Sequence, residues 1–301
     1  MYHTLLNSYV MKLLSETGLS LDRLANFLEV ADAGAIAAVA QGDPSRQALL
    51  SRQIKELETF FAVKLTRRKG RGLELTDAGR DLARRTREAL RQWEDFKEGY
   101  AGRKRRLRIG ASGSVLEWLL IPALARLKDS QFELGIVGGR TDQLARQLED
   151  GALDFAILRD DALSPRLTGK KIRTFSYKLW VPRKLLPKGT AKPSLALLSY
   201  LPMALSAGGT FRQKLDEVTR QAGVDLRIGV ETTSFAQALE ALRTQSYAAI
   251  LPDLAQTHLS EKPFVCLELP ELKTANRTIL LARHKQREDL ASIQSVLLEV
   301  L

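Results

Sequence analysis

Cysteine and histidine are both scarce in this chain of 301 residues, which limits the disulfides, redox sites and metal sites that it can form. The single cysteine, Cys266, excludes an intrachain disulfide, and its place in the apolar run FVCLEL predicts a buried strand thiol rather than a redox sensor. The histidines, His3, His258 and His284, lack the spacing of metal ligands. The sequence therefore predicts no metal site and no cofactor.

Long hydrophobic runs are absent as well. The longest candidate, from Val115 to Leu127, is interrupted by Glu117 and Pro122 and falls short of the roughly 20 apolar residues that a membrane span needs. The N-terminus, MYHTLLNSYVMKLL, is too polar for a secretory signal and has no small-residue cleavage site. We therefore expect a cytoplasmic protein without a membrane segment.

Acidic residues are outnumbered, because 35 Asp and Glu face 46 Lys and Arg and leave a net charge of +11. This excess favours a polyanionic partner, either nucleic acid or an anionic membrane surface. Charge alone does not choose between the two. The length and a hydrophobic content of 45% suit two or three packed units rather than one.

Recognisable catalytic motifs are also missing. The run GASGS fails the nucleophile-elbow pattern because Ser114 occupies the place of its second glycine. Neither GxGxxG nor a phosphate-binding lysine loop occurs. We therefore predict a binding protein that is not an enzyme. Two rivals stay open: a cytoplasmic solute sensor that acts through protein partners, and an enzyme that recruited an α/β domain.

Three short helices are predicted after residue 20. Apolar residues at helical spacing define the first, namely Leu21, Leu24, Phe27, Leu28 and Ala31. Gly34 ends it, and a small-residue helix follows from Ala35 to Gln41. The Gly42-Asp43-Pro44 break then comes before Ser45, which is predicted to cap the third helix.

The third helix has two faces of different character. One face is apolar and is predicted to pack on a core; it carries Leu50, Ile54, Leu57 and Phe61. The opposite face is polar and carries Gln47, Ser51, Arg52 and Lys55. Arg and Gln suit base edges in a major groove, while Ser and Lys suit phosphate oxygens. An ordinary solvated amphipathic helix is the alternative if this pattern stands alone.

A basic hairpin is predicted directly after this helix. The run KLTRRKGRGLELT places two β-prone segments around a glycine-rich turn, as in a small wing. Its basic residues are Arg67, Arg68, Lys69 and Arg71. Between residues 45 and 72, eight basic side chains face two acidic ones, and binding to phosphates would relieve this crowding.

The order of these residues resembles the LysR family of bacterial transcriptional regulators. The resemblance rests on LDRLANFLEVADAGAIAAVA, RQALLSRQIKELETFFAVKLTRR and LELTDAGRDL, and it extends over the whole chain. It implies a recognition helix from about Ser45 to Phe60, a wing from Gly70 to Leu75 and a base contact for Arg46. It also implies an N-terminal winged helix-turn-helix in residues 21–76 and a C-terminal effector-sensing domain.

A long helix is predicted next, because Thr76 can cap it and Asp77 lies in its first turn. Its apolar positions repeat every 3.5 residues, which is typical of a coiled-coil seam: Leu82, Thr86, Ala89, Trp93, Phe96 and Tyr100. We predict that residues 77–106 form a dimerisation helix ending in a basic hinge. The alternative is a helix that packs on its own domain.

Strands alternate with helices through residues 107–301, which indicates a mostly parallel sheet. The predicted strands lie at residues 107–112, 132–139, 153–158, 201–206, 226–232, 247–252 and 278–283. This order is typical of an α/β domain of the type-two periplasmic-binding-protein-like class. We predict subdomain I at residues 107–182 and 264–301 and subdomain II at residues 183–263, with crossings near residues 172–182 and 265–269.

Three loops have the chemistry of a small-molecule site. They follow predicted strands and contain hydroxyl groups and glycines, as Ser112, Gly113 and Ser114; Ser206, Gly208 and Thr210; and Thr232, Thr233 and Ser234. Ligands bind beyond the carboxyl ends of strands, where amides at helix N-termini collect anions. Arg159, at the end of a strand, could pair with a carboxylate. Simple helix caps are the equal alternative.

The sequence thus predicts a regulator that binds a pseudo-palindromic promoter site in double-stranded DNA as a homodimer or homotetramer. A small effector, which we expect to be anionic, would bind between the two subdomains and favour one arrangement of the oligomer. RNA polymerase is a further candidate partner. Residues 1–20 are predicted to be an extension outside the recognisable modules.

Overall fold

The computed structural model describes residues 18–69, 72–100, 104–127, 132–186, 193–260 and 262–301. Most of the predicted extension, the turn of the wing with Arg71, and part of the basic hinge lie outside the described residues. The side chains of Lys69 and Tyr100 are also outside the description. The chain divides into two compact units at Arg105 and Arg106, and the short segment Glu149–Ala152 belongs to the first unit.

The first unit contains a winged helix-turn-helix followed by one long helix. Its elements are α1 (Leu21–Ala33), α2 (Ile36–Ala40), α3 (Pro44–Phe60), β1 (Thr66–Lys69), β2 (Gly72–Leu75) and α4 (Asp77–Tyr100). Strands β1 and β2 form an antiparallel hairpin in which Arg67 lies opposite Glu74. The three helices, the hairpin and the long helix all occur where the sequence predicts them.

Local capping sets the ends of these helices. The Ser20 hydroxyl accepts a hydrogen bond from the backbone N of Arg23 at 3.2 Å, and Gly34 ends α1 with a φ of 65°. The predicted cap of α3 at Ser45 is wrong. Asp43 caps α3 instead, because Pro44 suits the first helical position and the Asp43 carboxylate accepts from the backbone N of Ser45 at 2.8 Å.

The core of the first unit forms where the apolar faces of its helices meet. It contains Phe27, Leu28, Val30, Leu50, Ile54, Leu57, Leu65, Leu75 and Ala83. Two predicted core residues do not belong to it, since Leu21 and Phe61 are 55% and 37% exposed. Both stand at the end of a helix, Leu21 as the first residue of α1 and Phe61 as the C-cap of α3, and the core does not cover them.

Glu58 ties the end of α3 to the first strand of the wing. This buried carboxylate accepts from Lys64 Nζ at 2.7 Å and from the backbone N of Leu65 and Thr66 at 3.0 and 3.3 Å. Burial by itself raises the pKa of Glu58, but the hydrogen bonds from Lys64, Leu65 and Thr66 outweigh it and hold the pKa below its usual value. The wing is therefore attached to α3 through an ionised side chain.

The second unit contains two five-stranded sheets. The first has the order β4-β3-β5-β12-β6, and the second has the order β11-β7-β10-β8-β9. The strands are β3 (Arg105–Ala111), β4 (Phe132–Gly138), β5 (Phe155–Arg159), β6 (Leu167–Phe175), β7 (Tyr177–Pro182), β8 (Met203–Ser206), β9 (Ile228–Thr232), β10 (Ala248–Pro252), β11 (Phe264–Leu267) and β12 (Arg277–His284).

Helices connect these strands. The longer ones are α5 (Thr141–Glu149), α6 (Thr210–Gln221), α7 (Phe235–Arg243) and α8 (Ala291–Val300). The segment after β3 is helical in three parts, Gly113–Val115, a π-helical turn Leu116–Leu120, and Ile121–Leu124. Short turns of helix occur at Asp160–Ala162, Arg183–Leu185, Leu197–Tyr200, Asp253–His258, Pro270–Ala275 and Glu288–Leu290. Every helix among the described residues falls short of the length and apolarity that crossing a bilayer requires.

Both sheets are mixed, which corrects the prediction of mostly parallel pairing. Strands β3 and β5 are parallel, but β12 runs antiparallel to β5 and to β6. In the second sheet β10 is parallel to β8 and antiparallel to β7. Hydrophobic strand patterns show which residues are buried but carry no information about strand direction.

The chain crosses between the sheets near the predicted segments, at Ser176 and after β11, but the bounds of the subdomains differ from those predicted. Strand β6 belongs to the first sheet and β7 to the second, with only Ser176 between them. Strand β11 also pairs with β7 in the second sheet. Residues 177–182 and 264–267 therefore join subdomain II rather than subdomain I. Cys266 lies in β11 as expected of a strand thiol, but it is half-buried rather than buried.

The ionised Glu58 makes the first unit sensitive to acid. Because the pKa of Glu58 is lowered on folding, its stabilisation is present above its ordinary pKa of 4.5 and is lost as the pH falls through the lowered value. We expect Glu58→Gln to cost roughly 1–3 kcal/mol at pH 7, since a charged acceptor is removed from buried donors. Calorimetric unfolding of the first unit between pH 3 and 7 measures this.

The matched control is Glu94→Gln, because Glu94 is exposed on α4 and forms no ion pair with another described residue. An unfolding temperature of Glu58→Gln equal to that of the control at pH 7 would contradict the assigned role.

Candidate functional sites

The outward face of α3 is open to solvent. Gln47, Arg52 and Lys55 are exposed and Ser51 is half-buried, while Leu50, Ile54 and Leu57 are buried on the opposite side. The Arg52 Nε lies 3.6 Å from the Glu56 Oε1, and Glu56 also receives the Nε of Arg23 at 2.6 Å. Lys55 has no acidic partner among the described residues. The face predicted to meet DNA is therefore assembled on one helix.

Arg46 is engaged within its own unit. Its Nη2 donates to the Asn26 Oδ1 at 2.9 Å and to the Glu29 Oε2 at 3.1 Å, both on α1. A second link between the two helices runs from the Asn26 Nδ2 to the Gln53 Oε1 at 2.6 Å. These bonds fix the start of α3 against α1, and they occupy the side chain that the resemblance assigned to a base.

Among the described side chains of the wing, one arginine has an acidic partner and one has none. The Nη2 of Arg67 lies 3.0 Å from the Glu74 Oε2 across the hairpin. Arg68 is exposed and has no acidic partner in the part of the chain that the structure describes. The backbone of Lys69 ends β1, and Arg71 lies outside the described residues. Arg68 is thus the wing cation that the structure leaves available.

The predicted dimerisation residues of α4 separate into two groups. Leu82 and Thr86, in the first half of α4, are half-buried and buried, and Leu82 packs against the core of the first unit. Further along, Trp93 and Phe96 are 53% and 69% exposed, and Ala89 is half-buried between the groups. The start of α4 therefore fits a helix packed on its own domain, whereas the aromatic rings near its end are exposed to solvent.

The second unit contains a cleft of about 900 Å³ at the ends of strands from both sheets. Nine of the ten predicted effector residues line it: Ser112, Gly113, Ser114, Arg159, Ser206, Gly208, Thr210, Thr233 and Ser234. Thr232 does not, because it is buried and its hydroxyl donates to the Ser234 carbonyl at 3.1 Å. The three predicted loops are thus brought to one place.

The hydroxyl groups of the cleft differ in their availability. Ser234 caps α7 by accepting from the backbone N of Gln237 at 3.2 Å, and the Thr233 hydroxyl meets the Gln237 Oε1 at 3.0 Å. Ser112 and Ser114, by contrast, have no hydrogen-bond partner for their hydroxyls among the described residues. Helix capping therefore accounts for the loop before α7, and it does not account for the loop after β3.

Arg159 bridges the two subdomains. Its Nη1 donates to the Thr210 hydroxyl at 2.7 Å, and its Nε donates to the Asp161 Oδ1 at 2.8 Å. Thr210 begins α6 in subdomain II, whereas Arg159 ends β5 in subdomain I. This hydrogen bond spans the cleft. Arg159 therefore already has a partner in each subdomain, Thr210 in one and Asp161 in the other.

Sequence reasoning missed Arg277 and the loop that follows β4. Arg277 begins β12 and lines the cleft, and residues 138–143 line it too. Because β12 is antiparallel to β5, its first residues lie at the edge where β5 ends. Arg277 begins its strand, so a prediction based on the carboxyl ends of parallel strands does not include it. The strand-then-helix order FELGIVGGRTDQL, used for the other loops, would have found residues 138–143.

Aromatic rings form one wall of the cleft. The rings of Tyr177 and Phe211 are stacked with centroids 4.0 Å apart, and Phe235 lies 5.4 Å from Phe211. Burial raises the pKa of the Tyr177 hydroxyl, although the charges of Arg277 and Arg159 act in the opposite direction. The phenol therefore stays protonated at neutral pH and can donate a hydrogen bond into the cleft.

Among the described residues, no group of three or more His, Cys, Asp and Glu could hold a metal ion. His258 instead packs near Trp118, with ring centroids 5.6 Å apart.

Comparisons with known proteins match both units to one family. A family model described as the LysR substrate binding domain matches residues 101–300. A model described as a bacterial regulatory helix-turn-helix protein of the lysR family matches residues 21–80. A probable nitrogen assimilation transcriptional activator of Synechococcus elongatus is 28% identical over 81% of this chain and 82% of its own length.

Solved structures share the fold. A full-length OxyR variant from Pseudomonas aeruginosa superposes with a TM-score of 0.63 and 21% identity, over 95% of each chain. Full-length CbnR in complex with its target DNA gives a TM-score of 0.50 and 21% identity, over 94% of this chain and 98% of that one. Because the family models cover both units, the chain belongs to the LysR family of transcriptional regulators, with a DNA-binding unit and an effector-binding unit.

Proposed function

We propose that this regulator reads a pseudo-palindromic promoter site by placing α3 of each protomer in a major groove. The observation that carries the proposal is the division of α3 into a buried side and an exposed side bearing Gln47, Arg52 and Lys55. Gln47 and Arg52 contact base edges, and Ser51 and Lys55 contact phosphate oxygens. CbnR, which shares the fold, is known in complex with its target DNA.

The remaining basic residues hold the module and grip the backbone. Arg68 contacts phosphate from the wing, and Arg67, Lys69 and Arg71 add to the positive field around it. Arg46 acts as a brace between α1 and α3 rather than as a base contact, since its Nη2 is bonded to Asn26 and Glu29. A braced start keeps α3 at a constant angle to its neighbours.

Pairing of two protomers sets the spacing of the half-sites. The exposed Trp93 and Phe96 provide the seam at the end of α4, where burial of two large rings favours association. The earlier positions of the helix contribute to the core of the first unit and to the start of the seam; they are Leu82, Thr86 and Ala89. Pairs of dimers give a homotetramer, and RNA polymerase is the partner at an activated promoter. Since its target is chromosomal DNA, the protein works in the cytoplasm.

Regulation follows from the cleft of the second unit. A small anionic effector binds between the subdomains and stabilises one arrangement of the oligomer over another. The support is the set of loops gathered there and the excess of cationic lining, with Arg140, Arg159 and Arg277 against Asp142. Regulation of this kind needs binding alone, so we propose that the chain catalyses no reaction.

Removing single cations from α3 tests the DNA interface. We expect Arg52→Ala and Lys55→Ala each to weaken binding to a duplex selected by the wild-type protein by roughly tenfold, because each loses a base or phosphate contact worth about 1–3 kcal/mol. Lys55→Ala also lowers the slope of log K against log salt by about 1. Gel-shift titrations at several salt concentrations measure both quantities.

The control is Lys184→Ala, which removes the same charge from an exposed position in the second unit. If both α3 variants retained wild-type affinity, or if the control lost as much, the recognition-helix assignment would fail.

Adding charge to the exposed end of α4 tests the dimer seam. We expect the double substitution Trp93→Glu and Phe96→Glu to halve the mass of the particle in solution, because two carboxylates cannot be buried between protomers without large cost. Light scattering coupled to size exclusion measures the mass. Lys97→Glu, on the same helix and exposed, keeps the wild-type mass. A double variant with an unchanged mass contradicts the seam.

A further inference from the structure

Arg277 stands out among the charged side chains of the cleft. Among the described residues, its buried Nε has no hydrogen-bond partner, and its Nη1 donates only to the carbonyl of Asn276 at 3.1 Å. No acidic group in the described part of the chain forms an ion pair with it. A buried cationic donor without an acceptor is costly, and an anion entering from the cleft would satisfy it.

The other two cations of the cleft are occupied. Arg159 is bonded to Thr210 and Asp161, and Arg140 lies 3.4 Å from the Asp142 carboxylate. Asp142, the one acidic side chain in the lining, is also paired with Arg146 at 3.3 Å. The lining therefore offers one unsatisfied charge, and that charge is positive.

The surroundings of Arg277 are apolar. Across β6 and β12 it is paired in register with Phe175, and Ile157 and Ile279 are almost fully buried in the same lining. Tyr177, Phe211 and Phe235 continue this surface as packed rings. Apart from the Tyr177 hydroxyl, this wall offers no acceptors or donors to a hydroxylated or multiply charged body, and it favours contact with another ring.

We propose that the effector is a monocarboxylate with an apolar, ring-sized body. Its carboxylate binds Arg277 and accepts a hydrogen bond from the Tyr177 hydroxyl. This rests on the proposed function of the cleft and names the class of its ligand. The guanidinium fork of Arg277 suits a carboxylate, and the ring of the ligand packs against the aromatic wall. Arg159 keeps the two subdomains together during binding.

The test uses the full-length protein and three probes of defined chemistry in calorimetric titrations. Benzoate carries both the charge and the ring, benzamide has the ring without the charge, and sulfate has charge without an apolar body. We expect benzoate to bind with a dissociation constant below about 1 mM and the other two at least about tenfold more weakly. Equal affinity for benzamide or sulfate, or no binding of benzoate, overturns the proposal.

Variants locate the carboxylate. We expect Arg277→Gln to weaken benzoate binding at least about tenfold and Arg277→Lys to weaken it less, because lysine keeps the charge but not the fork. Arg220→Gln, an exposed arginine of α6 outside the cleft, is the control and binds benzoate like the wild type. Wild-type affinity in Arg277→Gln overturns the anchor. If that variant does not fold, the three probes on the wild type still decide the class of ligand.

Binding of the same preparations to duplex DNA distinguishes failure of the ligand class from failure of the proposed function. Salt-sensitive duplex binding without benzoate binding rejects the ligand class and leaves the regulator intact. Failure to bind duplex DNA at low salt rejects the proposed function itself.

Discussion

The geometry of the effector unit depends on one carboxylate at the crossing between its two sheets. Asp253 follows β10 and accepts from the Arg173 Nη2 at 3.3 Å and from the backbone N of Ser176 at 3.4 Å. Its own backbone N donates to the Ser176 carbonyl at 2.9 Å. Because Ser176 is the only residue between β6 and β7, these bonds fix the point where the chain leaves one sheet and enters the other.

The crossing also determines which side chains line part of the cleft. Phe175 and Tyr177 flank Ser176, so the crossing itself places an aromatic pair in the lining. The second crossing ends at Arg277, which begins the strand paired with β6. The crossings thus bring an apolar wall and a cation together, and the hydrogen bond from Arg159 to Thr210 joins the two subdomains at the same cleft. A ligand held there contacts both subdomains, which is what coupling binding to a rearrangement requires.

The DNA-binding unit follows a related principle, in which internal bonds decide which cations remain free. Arg46 and Arg67 form ion pairs with Glu29 and Glu74. Lys55 and Arg68, by contrast, face solvent without acidic partners among the described residues. Positive charge on this unit therefore has two roles. Part of it forms ion pairs within the fold, and part of it has no acidic partner among the described residues and, under the proposed function, would meet phosphates.

The order of the helices, the wing and most strands could be predicted from the amino-acid sequence, because periodic apolar residues and turn-forming residues act locally. The family, the polar face of α3 and nine of the ten lining residues proposed for the cleft were predictable in the same way. Long-range packing set the strand directions and the sheet that β7 and β11 join, and the antiparallel direction of β12 set the place of Arg277. It also bound Arg46 to α1 and left Phe61 exposed. These features depend on partners distant in the chain, which local spacing cannot reveal.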